Sequence, residues 1–425
     1  MSETETEADD ARRYARPDTL EGMLQRGRGM GAILAARDPA GAAEPVRRCL
    51  RQDWRWDSVD ERSVYLARLV RDLELPLEPV VELLAEDRES CERATGVLEL
   101  LAVSGSAQAR EALRDHVRTG PHWLDVLESV ADRWPPAWWR DLAGVARARL
   151  DGDEQLSADE EARGTLDSLF SPDGPPPPHP SRRLSRVELT PPSPRLLALL
   201  ADPGAPEGAK GPALRLLAGR APEPDLLPLV PTLGSSYGSF PAPFLAAAVR
   251  RCGALALPAA RTWVADDRSW LAWIGLEVLA EHGEDVDLPV LSAHLTDEYR
   301  RRGWCGPKMI AAGLARFGPA AAEAVPVLRR YYVHTPHSYE RAAFLEALAA
   351  IDPEGLEAAY TEGLWDCEAD VRLLAVAGAP DLPHVRDRLE LLRDDPLETP
   401  EVRRAAAARL DRPGLPGTRR EAAGA

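Results

Sequence analysis

The densest run of chemically able side chains is Tyr331-Tyr332-Val333-His334-Thr335-Pro336-His337-Ser338-Tyr339-Glu340-Arg341. Arg329 and Arg330 stand just before it, and Arg301, Arg302 and Trp304 lie upstream. His334 and His337 form an H-x-x-H pair, a spacing that invites a metal reading, but Pro336 breaks the helix between them and no third ligand is evident. Residues 301–350 carry seven basic and three acidic side chains, and residues 351–400 carry four basic and thirteen acidic ones. An aromatic and basic window beside an acidic one suits an anionic ligand or a protein partner. The candidate binding residues are therefore Arg301, Arg302, Trp304, Arg329, Arg330, Tyr331, Tyr332, His334, His337, Tyr339 and Arg341.

Two further clusters combine aromatic rings and charge. Trp54-Arg55-Trp56-Asp57, followed by Asp60-Glu61-Arg62, reads as a helix entry with Asp57 as its N-cap, or as a binding surface anchored by Trp and Arg. Trp134-Pro135-Pro136-Ala137-Trp138-Trp139-Arg140 reads as an exposed-looking aromatic turn that caps the core or docks the second array, with peptide binding as its functional reading. Trp54, Arg55, Trp56, Trp134, Trp138 and Trp139 are the secondary candidates.

The catalytic frames fail on context. Gly234-Ser235-Ser236-Tyr237-Gly238 matches G-x-S-x-G, but a nucleophile elbow needs a strand before it and a helix directly after, and here Phe240-Pro241 follows. Gly27-Arg28-Gly29-Met30-Gly31 lacks the strand and the later acid of a dinucleotide site and reads as a loop. No P-loop, H-E-x-x-H or zinc spacing occurs. No catalytic residue, metal or cofactor is expected.

The elements that must position these residues are helices. Ala- and Leu-rich runs end at Gly219, Gly253, Gly283, Gly318, Asp352, Gly378 and Asp411, 26–35 residues apart. Stops at that period mark repeated helical hairpins. Glycine favours the left-handed position that closes a helix, so each stop, with Gly105 and Gly120, is expected there. The expected organisation is an acidic disordered tail over 1–20, a helical-hairpin array over 21–150, an acidic and proline-rich linker over 151–194, a second array over 195–411 and a frayed tail over 412–425. Within the linker, Pro175 to Pro178, Pro180, Pro191, Pro192 and Pro194 exclude a helix. Thr19 is placed to cap the first helix.

The chain has 425 residues, a net charge of −17 and 44% hydrophobic residues, ample for one or two cores. That charge opposes wholesale binding to nucleic acid or anionic lipid. No apolar run spans a membrane and the polar start lacks the apolar stretch of a secretory signal, so a cytoplasmic location is expected. Five scattered cysteines without C-x-x-C read as reduced, mostly buried residues. All basic residues but Lys210 and Lys308 are Arg, as in a GC-rich genome such as that of an actinobacterium.

Asp370-Val371-Arg372-Leu373-Leu374-Ala375-Val376-Ala377-Gly378, continuing Asp381-Leu382-Pro383-His384-Val385, and Pro400-Glu401-Val402-Arg403-Arg404 before an Ala-rich run resemble the HEAT repeat. They are especially similar to its short bacterial form named after phycobilisome lyases. The resemblance covers 350–411 best, then 210–350, then 31–150. It implies an all-α solenoid of antiparallel helix hairpins with a concave face, whose members mostly bind proteins. A minority are DNA glycosylases or phycobilin lyases. The first would place aromatic residues and a carboxylate in the region of Trp304, Tyr331, Tyr332 and Glu340. The second finds no cysteine motif here. The expected function is a non-catalytic scaffold or adaptor with a protein partner, without nucleic acid or membrane.

Overall fold

The protein is described by a computed structural model covering residues 14–60, 62–152, 160–170, 191–235 and 240–412. Residues 1–13 of the tail expected over 1–20, residues 413–425 of that expected over 412–425, most of the expected linker, and Ser236, Tyr237 and Gly238 lie outside the described residues; Tyr14, within the first of these spans, is buried. Among the described residues there are 23 α-helices and no strands; one isolated bridge joins Gly234 and Pro241. The chain is all-α. No helix of the described residues is long and apolar enough to cross a membrane.

Ten helices come first: α1 (Leu20–Gln25), α2 (Gly29–Arg37), α3 (Pro39–Arg51), α4 (Ser63–Asp72), α5 (Glu78–Glu82), α6 (Arg88–Val103), α7 (Ala107–Thr119), α8 (Trp123–Arg133), α9 (Ala143–Gly152) and α10 (Glu160–Leu169). The middle of the chain forms α11 (Ser193–Ala201), α12 (Glu207–Ala218), α13 (Leu245–Cys252), α14 (Leu257–Trp263), α15 (Ser269–His282), α16 (Leu288–Arg300), α17 (Pro307–Ala315), α18 (Val325–His334) and α19 (Arg341–Ile351). Four more follow: α20 (Glu357–Gly363), α21 (Ala369–Gly378), α22 (Pro383–Asp394) and α23 (Pro400–Leu410).

These helices fall into two compact units that do not follow the linear partition expected from the prolines. Among the described residues, the first unit holds those up to 170, together with 333–342 and 355–412; the second holds 191–332 and 343–354. The chain thus leaves the first unit, builds most of the second, rejoins the first over 333–342, passes through the second again over 343–354 and returns at 355. In the first unit, α6 is the central helix and packs on α4, α7 and α8. Its Ala94, Val97, Leu98 and Leu101 recur at three and four, so one stripe is buried. Asp87 caps it, accepting a hydrogen bond from the Ser90 amide at 3.0 Å. α20 packs on both α21 and α2. In the second unit, α15 packs on α14 and α17, and α12 on α11 and α13.

Several local expectations are corrected. Residues 160–169, within the span expected to be linker, form α10, and its Ala162 and Leu166 join the core of the first unit. Asp57 caps no helix: α4 starts at Ser63, and residues 52–60 form an irregular segment instead. The G-R-G run at 27–29 is only partly loop, since α2 starts at Gly29. Among the stops, Gly253 and Gly318 have positive φ, as does Gly105, whereas Gly219, Gly283 and Gly120 do not. Gly120 is small for a packing reason, because a Cβ there would lie 2.2 Å from the His116 ring. Thr19 does cap α1, accepting from the Gly22 amide at 3.1 Å.

Candidate functional site

Two features of the first unit concentrate polar chemistry. One is a buried network of charges; the other is a cleft that shares Arg62 and Gln25 with it.

The network begins with buried arginines: Arg68 and Arg372 stand on the buried stripes of α4 and α21, and Arg28 and Arg62 immediately precede α2 and α4. Arg28, Arg62, Arg68, Arg341 and Arg372 are all buried, and Arg341 is 0% exposed. A buried guanidinium survives only when carboxylates and carbonyls replace water around its planar fork. Each finds them far along the chain. Arg28 makes a two-pronged contact with Glu362 at 2.9 and 3.0 Å. Arg68 donates to Asp395 at 2.8 Å and Glu398 at 3.0 Å. Arg372 takes the other side of Glu398 through two 2.7 Å bonds. Arg341 grips Asp366 through two 2.9 Å bonds and donates to the carbonyls of Arg26 and Gly27.

Arg62 closes the centre of the network, donating to Ser338 Oγ at 2.7 Å and to Cys367 Sγ at 3.3 Å. Asp60 accepts from the Ser338 amide and hydroxyl with one oxygen and from the Trp56 and Asp57 amides with the other. Glycines let the backbones meet here. A Cβ on Gly29 would lie 1.9 Å from the Glu362 carbonyl oxygen, and one on Gly27, whose φ is 65°, would lie 2.4 Å from Cys367 Sγ.

The network makes the first unit sensitive to acid. Burial raises Asp395, but Arg71 and Arg68 outweigh burial and hold it at about 2, below its ordinary 3.8. Burial likewise raises Asp60 and Glu398, and His337 with Arg62 in one case and Arg372 in the other bring them below their ordinary values. A carboxylate whose pKa is lower folded than unfolded contributes stability above its unfolded pKa and loses it as pH falls through the folded one. Glu362 runs the other way, because burial raises it more than Arg28 lowers it. The three depressed groups outnumber it. Unfolding free energy, followed by denaturant titration, is therefore expected to fall between roughly pH 5 and pH 2, with Asp395 alone accounting for about 2 kcal/mol. Asp395→Asn should flatten that slope; an unchanged slope would remove Asp395 from the account.

The cleft has a volume of about 740 Å³ and lies among α1, the end of α3, the 52–55 segment and the starts of α4 and α6. Trp54 and Arg55, both secondary candidates, line it. Tyr14 donates to the Trp54 carbonyl, and its ring lies 5.6 Å from the Trp54 ring. The Trp54 indole nitrogen is buried and has no hydrogen-bond acceptor among the described residues. Arg55 is held by Asp53 at 2.7–3.0 Å. Burial raises Asp53, and Arg55 outweighs burial to leave it below the usual carboxylate range. Trp56 is half-buried, with its ring edge-on to His337 at 5.8 Å.

The remaining candidates separate into surface and core. In the second unit Arg301, Arg302, Arg329 and Arg330 are exposed. Arg329 pairs with Asp352 at 3.2 Å, and the Arg330 guanidinium lies over the Tyr299 ring at 5.9 Å. Beneath them Trp304, Tyr331 and Tyr332 are buried; Tyr331 stacks on Phe344 at 5.2 Å and meets Trp304 edge-on at 5.8 Å. In the first unit His334 and Tyr339 are half-buried, and His337 and Arg341 are buried in the network. His334 offers its carbonyl to Arg26. The Trp134 turn is not the exposed patch expected: Trp134 and Trp139 are core residues, and Trp138 is half-buried edge-on to Trp134 at 5.6 Å.

Sequence reasoning missed Asp60, Asp366, Asp395 and Glu398 as partners, and Asp87 and Glu89 on the cleft. The available signal was arginine on an otherwise apolar helical stripe, as Arg68 in Tyr65–Val70. The chain matches no protein-family model, no curated protein and no solved structure.

Proposed function

We propose that the protein is a helical-repeat scaffold of the HEAT-like kind, an α-solenoid in which antiparallel helix hairpins carry a surface for a protein partner. The observation that carries this reading is the sorting of the basic window in the second unit. Its aromatic residues Trp304, Tyr331 and Tyr332 are core, and its arginines Arg301, Arg302, Arg329 and Arg330 face water. Rigid packing beneath long cationic side chains favours recognition of an acidic partner surface. The glycosylase alternative needs accessible aromatic rings and a carboxylate to hold a base. Tyr331, Tyr332 and Glu340 are each buried, which favours the scaffold reading. The lyase alternative gains no observation.

The test compares tagged wild-type chain with Arg301→Glu/Arg302→Glu/Arg330→Glu in affinity capture from host extract, read by quantitative mass spectrometry. A defined set of proteins is expected with the wild type and should fall at least tenfold with the variant. Identical recovery, or recovery of nothing above background, overturns the proposal.

A further inference from the structure

Arg388, on α22, is only 5% exposed, yet it bonds to no carboxylate among the described residues. Its Nε donates to the Leu364 carbonyl at 3.1 Å, and its guanidinium lies over the Trp365 ring at 4.9 Å. A guanidinium presents its N–H donors in one plane, most of them on the two terminal nitrogens. Those two nitrogens make no hydrogen bond or ion pair among the described residues, and neither is sealed from solvent. The outer edge of the fork therefore faces an opening, while the Leu364 carbonyl and the Trp365 ring fix its plane.

The charges around it leave it uncompensated. Arg68 and Arg372 lie close enough to oppose its charge, and Asp72 and Asp395 close enough to favour it. Those carboxylates are already engaged. Asp395 accepts from Arg68 and Arg71, and Asp72 accepts from Arg71. Glu398, the remaining acid of this corner, is shared by Arg68 and Arg372. Arg68, Arg71, Arg372 and Arg388 thus meet only Asp72, Asp395 and Glu398, which leaves one positive charge in excess. Burial, and then Arg68, press Arg388 down to about 9, so it is still a cation at neutral pH. A buried charge without a counter-charge is costly, and a guest that supplies one removes the cost.

We propose that Arg388, held by Leu364 and Trp365, is the binding group for the carboxylate of a ligand. The two carboxylate oxygens accept from its terminal nitrogens in a two-pronged contact, for which the planar fork is matched. One negative charge balances the one in excess. A doubly charged phosphate overshoots it and meets the field of residues 351–400, where thirteen acids face four bases. The site shares no residue with the cleft or with the basic surface of the second unit, and it does not depend on the scaffold reading.

The probe is sodium acetate, exchanged for sodium chloride at constant ionic strength and pH 7. The full chain is followed by urea unfolding and by saturation-transfer NMR of the acetate methyl. A ligand of the folded chain multiplies the folded-to-unfolded ratio by one plus its concentration over Kd. That ratio is expected to rise at least fivefold at about 100 mM acetate, with a saturable NMR signal. Acetyl-glutamate amide beside acetate separates the sources: whichever binds tighter marks the ligand as an acidic side chain of a partner or a free small acid. Acetyl-glutamine amide should not bind. Arg388→Met removes the excess charge, so its ratio in chloride should lie within fivefold of wild type or above it, and its acetate response should vanish. Arg393→Met, at an exposed position of the same helix, should keep that response within twofold. No saturable binding of either acid, equal acetate responses in wild type and Arg388→Met, a larger response to inorganic phosphate, or a greater than fivefold loss for Arg388→Met in chloride overturns the proposal.

Discussion

Arg341→Ala is expected to destabilise the first unit by about 3–5 kcal/mol, the range for removing one partner of a buried ion pair. The magnitude follows from what the guanidinium leaves behind. Asp366 would lose both of its 2.9 Å bonds to Arg341, and the Arg26 and Gly27 carbonyls would lose a buried donor. Arg341 is 0% exposed, so water does not take over without the structure opening. The measurement is denaturant unfolding at pH 7. Replacing both partners, as in Arg341→Met/Asp366→Leu, removes the stranded carboxylate and should recover part of the loss. A single variant within about 1 kcal/mol of wild type would show that the pair holds nothing together.

The second large effect is at Gly27. Its φ of 65° costs an alanine about 1–2 kcal/mol, and its Cβ would lie 2.4 Å from Cys367 Sγ, a clash whose relief costs about 1–3 kcal/mol more. Gly27→Ala is therefore expected to lose about 2–5 kcal/mol. Gly105 provides the comparison, because its φ is also positive at 107° but nothing lies within 4 Å of a Cβ built there. Gly105→Ala should show only the backbone part. Equal losses at the two positions would mean that the contact with Cys367 contributes nothing.

Helical character was legible because it is written locally. Ala94, Val97, Leu98 and Leu101 repeat at three and four, and Thr19 stands where a cap belongs. The pairing of distant segments was not, because no local pattern encodes it. Arg68 and Asp395 are 327 residues apart, and only their shared burial links them. The acidic and proline-rich text over 151–194 suggested where one body should end, yet Ala162 and Leu166, inside that span, complete a core begun much earlier. The aromatic window misled in a related way. A Tyr beside an Arg looks like a surface anchor in one dimension, but Tyr331 lies in the core while Arg330 faces water. Trp54 and Arg55 are the residues the sequence singled out that do line a cleft, and the acids opposite them had no aromatic neighbour to draw notice.

The return of the chain to its first unit has a consequence for synthesis. Arg28, Arg62 and Arg68 are translated long before Glu362, Cys367 and Asp395, which neutralise or enclose them. At roughly 5–20 residues per second, the interval between Arg68 and Asp395 is about 15–65 s. During that time α4 carries Arg68 on a stripe that is otherwise apolar, and burying that guanidinium without its counter-charges is costly. The stripe of α4 that carries Arg68 is therefore expected to close only once Asp395 and Glu398 have emerged.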